Sequence, residues 1–357
     1  MQMTCRLINF LLLCICVLCV IFLITLTERV SEPKYYNETE FTVLPQYANQ
    51  SLHIRYIIEP SCHSSFLIWL VTSSIEDSSL RLALRRAYPT KELETYGVQR
   101  VFLLGRSRKN VYVRQKLIDE ESLRFKDILQ GDFTDVYRNL THKHLMGLQW
   151  AVSRCKTSFL AKMDDDIVVD LFRVLELLRE DVTEENSLSG YALRKMVPIR
   201  TKQNKWFVTK EEFSDTIYPD FVSGWFYLTH LRTVERLVSA SKDFQKPFWI
   251  DDVFITGILR EKTNITIKEL NQIYATDYRF LECCLRDESK QYKCDFIVGP
   301  DGGKKNLQMK FRKFAESCRN CSERSQEFSI KKTCVSKYEE NFSPKNGVAF
   351  IYPIRNL

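Results

Sequence analysis

Asp164, Asp165 and Asp166 stand side by side in Ser158-Phe-Leu-Ala-Lys-Met-Asp-Asp-Asp-Ile-Val-Val-Asp170, with apolar residues before them (Phe159 to Ala161) and after them (Ile167 to Val169). Three adjacent carboxylates repel one another and are costly to bury unpaired, so the cluster calls for a cation, for solvent or for helix N-termini. Mn²⁺ or Mg²⁺ is the usual remedy, because these ions take carboxylate, phosphate and water oxygens. On composition alone an exposed acidic turn is the plainer reading. Here such a turn would have to interrupt what otherwise reads as core.

The surrounding pattern says what positions the triplet. A short apolar strand delivers it at its carboxyl end, and Leu171, Val174, Leu175 and Leu178 open a helix behind Asp170 as its cap. Upstream, Phe66 to Val71 and Val101 to Leu104 are continuous apolar runs of strand length, as buried parallel strands are. Ser78 to Arg86 and Lys116 to Phe125 read as helices, and Asp127 to Phe133 as a shorter strand. After Asn139 as cap, Leu145, Leu148, Val152 and Cys155 make one apolar helical face. Strands alternating with helices predict an α/β fold with a mostly parallel central sheet. In such sheets ligands bind outside the carboxyl ends of the strands, where the triplet falls.

Several ordered landmarks then carry a resemblance. Arg81-Leu-Ala-Leu-Arg85-Arg-Ala-Tyr88, Val101-Phe-Leu-Leu-Gly105, Asp127-Ile-Leu-Gln-Gly-Asp-Phe-Thr-Asp-Val-Tyr-Arg-Asn-Leu-Thr141 and Lys162-Met-Asp-Asp-Asp166 resemble motifs of the inverting beta-1,3-glycosyltransferase family, in order. Pro198-Ile-Arg200, Lys205-Trp206, Tyr218-Pro219, Ser223-Gly224 and Asp251-Asp-Val-Phe-Ile-Thr-Gly257 resemble its later landmarks. The resemblance covers roughly Phe66 to Gly257. It implies a GT-A nucleotide-sugar-binding fold, a UDP-sugar donor, and a glycan acceptor on a glycoprotein or glycolipid, with galactose the foremost sugar.

Carried over residue by residue, Asp166 would ligate Mn²⁺ (or Mg²⁺) at the donor diphosphate with Asp164 as a second ligand, and Asp164 and Asp165 would contact the nucleotide or tune the metal. Arg81 and Arg85, four apart on one helical face, fit donor contacts; surface salt bridges are the other reading. Asp252 is the candidate general base, with Asp251 the fallback and helix capping the alternative. Trp225 and Trp249 could stack on acceptor sugar rings or belong to the core. Two landmarks depart from the pattern. The family's late histidine is missing, with Gly299 in its apparent place and Asp301 or a water left to complete the coordination. Ser223-Gly-Trp-Phe-Tyr227 puts bulk where the family has small residues. These departures motivate a second reading, an inactive relative that binds glycans or acts as a chaperone-like partner of an active transferase.

The N-terminus sets the expected topology. Residues 1–6 read as a cytosolic tail and Leu7 to Leu26 as one membrane-spanning signal-anchor, since about twenty apolar residues cross a bilayer core. Residues 27–62, polar and holding Pro33, Pro45 and Pro60, read as a lumenal stem, and 63–357 as the catalytic domain with a cysteine-rich end. That is a type II Golgi membrane arrangement. Eight cysteines lie beyond the span, an even number suited to disulfides in an oxidising compartment; zinc at Cys318-x-x-Cys321 is the alternative. N-glycosylation sequons expected to be used are Asn37, Asn49, Asn264 and Asn320. The formal charge of +7 is spread without a Lys/Arg block, so no nucleic-acid partner is expected.

Overall fold

The computed structural model describes residues 54–108, 111–180, 185–286 and 291–334. The Leu7 to Leu26 span, Asn37 and Asn49 lie outside them. Among the described residues no helix is long and apolar enough to cross a membrane.

Strands β1 (Tyr56–Ile58), β2 (Ser65–Thr72), β3 (Val98–Arg106), β4 (Ile128–Thr134), β5 (Thr157–Asp164), β7 (Ser187–Leu193), β8 (Phe221–His230) and β9 (Thr266–Glu269) form one sheet in the order β1-β4-β3-β2-β5-β8-β7-β9. The remaining two, β6 (Ile167–Val169) and β10 (Val298–Pro300), pair antiparallel in a small sheet of their own. The four central strands are parallel, while β8 runs against both its neighbours and β1 runs against β4. The sheet is therefore mixed around a parallel centre.

The apolar runs are continuous because both faces of the centre are covered. Ile68, Leu70, Val101, Leu103 and Leu129 enter one core, whereas Leu67, Trp69, Val71, Phe102 and Leu104 enter the other, as the two-residue period of a strand requires. Helix α1 (Ser78–Ala87) follows β2, and after α2 (Thr90–Thr95), α3 (Val111–Phe125) follows β3. Then α4 (Leu140–Arg154) connects β4 to β5, and α5 (Leu171–Arg179) follows β6.

Asp170 caps α5 as expected, its Oδ1 accepting from Arg173 N at 3.2 Å. Asn139 does stand at the start of α4, but its amide donates to the Thr134 carbonyl at 2.8 Å instead of capping the helix.

One boundary differs from the sequence reading. Tyr56–Ile58, expected in the stem, adds an edge strand to β4, and Cys62 is bonded to Cys155, so the folded domain begins by residue 54. A three-residue edge strand carries too short a period to stand out in sequence. The other six cysteines among the described residues pair as Cys283–Cys334, Cys284–Cys294 and Cys318–Cys321, so the last pair takes the disulfide reading over the zinc one. They lie around a small core of Ala275, Leu281, Phe296, Leu307 and Phe311, between α6 (Leu231–Ser241) and the C-terminal end of the described chain.

Candidate active site

Strand order reverses at β2: β3 lies on one side of it and β5 on the other. The connections leaving the carboxyl ends of these strands diverge there and leave a crevice. Thr72 of β2 is in register with Asp164 of β5, and Asp165 N donates to the Thr72 carbonyl at 3.1 Å, so the acidic triplet sits at the mouth of that crevice. A cavity of about 470 Å³ opens from it, the size of a small-ligand site. Asp164, Asp165 and Asp166 form one wall, and Asp251 and Asp252 another.

The first wall is braced from beneath. Lys162, fully buried on β5, donates to Asp164 Oδ1 at 2.7 Å and to the Gly224 carbonyl at 2.6 Å, and its Nζ lies 3.9 Å from Asp251 Oδ2. A single ammonium thus ties the triplet to the opposite wall. Asp165 accepts from Ser73 Oγ at 2.7 Å, and Ser73 Oγ accepts from Arg81 at 3.2 Å. Lys143, buried on α4, bonds the Ser73 carbonyl and Asp135, both at 2.6 Å.

Arg81 and Arg85 do share a helical face, but the structure turns that face inward. Arg81 makes a bidentate pair with Glu121 at 2.6 and 2.8 Å. Arg85 binds Asp127 at 2.7 and 3.0 Å and Glu121 at 2.6 Å. Both are buried and neither lines the cavity. The expectation of direct donor contacts is corrected: their guanidinium groups are engaged by carboxylates of α3 and the β4 edge, and Arg81 reaches the site through Ser73.

On the second wall, adjacent carboxylates have opposite environments. Burial alone would raise Asp251, but Lys162 and the hydrogen bond from His144 at 3.0 Å outweigh it and hold the carboxyl at about 2. Burial keeps His144 neutral, and it also keeps Tyr227 protonated. Tyr227 OH lies 2.7 Å from His144 Nε2, so it donates there and His144 Nδ1–H is left to donate to Asp251. Burial and the Asp251 charge together push Asp252 up to about 7, against smaller opposing contributions from Lys162 and the Val253 and Gly224 amides. Asp252 caps the π-helical turn Val253–Leu259, accepting from Val253 N at 2.8 Å, and still lines the cavity. Capping and a cavity role coexist. Gly224 packs closely at this junction: a Cβ there would lie 3.2 Å from Lys162 Nζ, so the ammonium would have to shift by a few tenths of an ångström.

Aromatic side chains close the cavity. Trp225 lines it, partly exposed. Trp249 also lines it, but its ring is 8% exposed and carries the Arg138 guanidinium at 4.3 Å, so its free face is not open to a sugar. Trp206 and Tyr137 join the wall with Lys205, whose Nζ stands 4.3 Å from the first ring and 5.3 Å from the second. The loop that carries Lys205 and Trp206, from Arg194 to Asp220, is gathered by Arg200, which donates to the carbonyls of Val208, Thr209, Phe213 and Asp215. Lys205, Trp206, Tyr218 and Arg200 were visible in sequence only as landmarks without roles. Lys143 and His144 carried no signal, since lone polar residues on a helix have no spacing to read.

The fit of a divalent ion can be tested on the donor set. Among the described residues no group of three or more His, Cys, Asp and Glu side chains is placed to hold one. Gly299 cannot stand in for a histidine ligand: a Cβ there would meet Ala275 Cβ at 2.9 Å and Leu281 Cδ1 at 3.0 Å, in the small core. Asp301 is nearer, its amide donating to the Asp166 carbonyl at 2.9 Å. Asp164, proposed from sequence as a second ligand, is bonded to Lys162. The wall therefore suits an ion carried in by a phosphate-bearing ligand rather than a closed protein cage. Seven aspartates and three lysines line the described cavity, an excess of negative charge that a diphosphate could not enter uncompensated.

Residues 79–271 match the Galactosyltransferase family. The chain belongs to it. Human beta-1,3-galactosyltransferase 5 is 32% identical over 243 residues, covering 65% of this chain and 74% of that protein. The mouse beta-1,3-galactosyltransferase 5 is 32% identical over 279 residues, 75% of this chain and 87% of the relative. A crystal structure of the galactosyltransferase LgtC with donor and acceptor sugar analogues superposes loosely, with a TM-score of 0.34 at 8% identity over 73% of this chain and 98% of that one. The family match and the curated relatives make the chain a glycosyltransferase, and the match begins at α1 and ends just past β9. Both carboxylate walls fall inside the matched region. Of the sequons, Asn264 and Asn320 are exposed.

Proposed function

We propose that this glycosyltransferase moves galactose from a UDP-sugar to a glycan hydroxyl with inversion, forming a beta-1,3 linkage, and that it works in the Golgi lumen, anchored by Leu7 to Leu26. The observation that carries the chemistry is one cavity with an acidic edge at the end of β5 and, opposite it, a carboxylate raised toward neutral pH. The names of the relatives support the sugar and the linkage.

Asp252 takes the proton of the acceptor hydroxyl. A base with a pKa near the working pH is the most effective kind. Asp251, held ionised by Lys162 and His144, cannot serve as well. Its charge instead keeps Asp252 basic. Asp166 would hold Mn²⁺ or Mg²⁺ together with the donor phosphates, and such an ion, when bound, neutralises charge on the departing diphosphate. Lys162 keeps Asp164 and Gly224 at fixed separation, so the donor and acceptor walls stay in register.

The full-length chain, incubated with UDP-galactose and a panel of glycosides, should give a product with a new beta-1,3 bond by NMR. EDTA should abolish the product and Mn²⁺ restore it. Failure to turn over any UDP-hexose defeats the proposal, and activity untouched by EDTA defeats its metal component.

A further inference from the structure

The cavity has two unlike halves. Its walls at the end of β5 and at Asp251 and Asp252 are acidic, whereas the start of α4 and the loop between β7 and β8 line it with Val136, Tyr137, Leu140, Met196, Val197 and Ile199. Apart from the Tyr137 hydroxyl, these side chains carry no hydrogen-bonding oxygen or nitrogen. A bare sugar gives up hydration at every hydroxyl it buries, so it gains little from such a wall.

The apolar half reaches the surface. Val197 is 63% exposed and Tyr137 42%. Tyr218 N donates to the Met196 carbonyl at 2.8 Å, which ties the two ends of the loop together, and next to that bond Ile217 is 51% exposed. Exposed apolar side chains also lie on α3, such as Tyr112 and Leu123, but those do not line the cavity. Lys205 does not interrupt the strip: its ammonium is drawn over the rings of Trp206 and Tyr137, at 4.3 and 5.3 Å, and its stem is hydrocarbon. The strip begins on the Asp252 side. Tyr137 meets Trp249 with ring centroids 6.1 Å apart, and Trp249 precedes Asp252 by three residues.

We propose that this strip is an aglycone subsite and that the acceptor is a glycolipid, whose sugar turns a hydroxyl to Asp252 while the first methylenes of its hydrocarbon tail lie along Tyr137, Val197 and Ile217. The inference rests on the transferase reading above and chooses between the acceptor classes that reading leaves open. Continuity fixes the occupant: the strip runs out of the cavity in which the acceptor sugar reacts, so what covers it is joined to that sugar. A hydrocarbon tail gains from leaving water for an uncharged apolar wall, and exposed apolar patches bordering a site mark such contacts.

The test uses the full-length chain, UDP-galactose, and matched methyl and octyl β-glycosides of galactose, glucose and N-acetylglucosamine, each octyl glycoside below its micelle concentration. Burying one methylene tightens binding by roughly fourfold, so covering two of them predicts an octyl KM at least about tenfold below the methyl KM. The double variant Val197→Ser, Ile217→Ser alters exposed positions only. It should cut the octyl advantage at least about threefold and leave the methyl KM within about twofold of its starting value. Equal methyl and octyl KM values, or an octyl advantage untouched in the double variant, overturn the subsite. A soluble glycopeptide carrying the same terminal sugar, with a KM as low as that of the octyl glycoside, overturns the acceptor class. If the unaltered chain releases UDP from no UDP-hexose, the transferase reading itself fails and the subsite with it.

Discussion

Asp251 and Asp252 are neighbours in sequence, yet the first points at Lys162 and His144 and the second at two backbone amides and the cavity. That difference separates their roles. Asp252→Asn should lower kcat by about 10²- to 10⁴-fold, the usual contribution of a general base, with little change in the thermal unfolding midpoint. The base must be ionised to work, so kcat/KM should rise with pH through a limb near 7. Asp251→Asn removes a charge that raises Asp252, and the limb of the remaining activity should then move to lower pH. A limb that stays in place, or moves up, contradicts the assignment.

At the scale of elements, the site depends on how α1 and α3 are locked together. Glu121 of α3 receives both Arg81 and Arg85 from α1, and Asp127 holds Arg85 and, at 3.3 Å, Arg100 of β3. Exposed ion pairs contribute little, but removing one partner of a buried pair leaves an uncompensated charge. Glu121→Gln should therefore destabilise the domain by about 3–5 kcal/mol in urea unfolding. Because Arg81 supports Ser73, which holds Asp165, the same variant should also raise the donor KM.

Across the whole molecule, the Cys62–Cys155 bond joins the chain just before β2 to the end of α4, 93 residues later. Closing so long a loop restricts the unfolded chain, and the Cys62→Ser, Cys155→Ser double variant should lose about 2–5 kcal/mol, read as a lower denaturant midpoint. The effect on kcat should be small, since neither cysteine lines the cavity.

Much of this arrangement was legible beforehand. The runs Phe66 to Val71 and Val101 to Leu104 announced buried parallel strands, Asp170 announced the start of α5, and the ordered landmarks from Arg81 to Gly257 announced the family. These signals are local: hydrophobic period, cap chemistry and motif spacing lie along a few consecutive residues. What the tertiary structure decided was pairing across distance. Arg81 and Arg85 read equally well as donor ligands until Glu121 and Asp127 came to meet them, and Gly299 read as a lost metal ligand until its Cβ direction led into the small core. The acidic triplet was evident as a cluster of charge, but that Lys162 neutralises its first member, and that the raised carboxylate opposite is Asp252, follow only from the burial and charge–charge distances that folding creates.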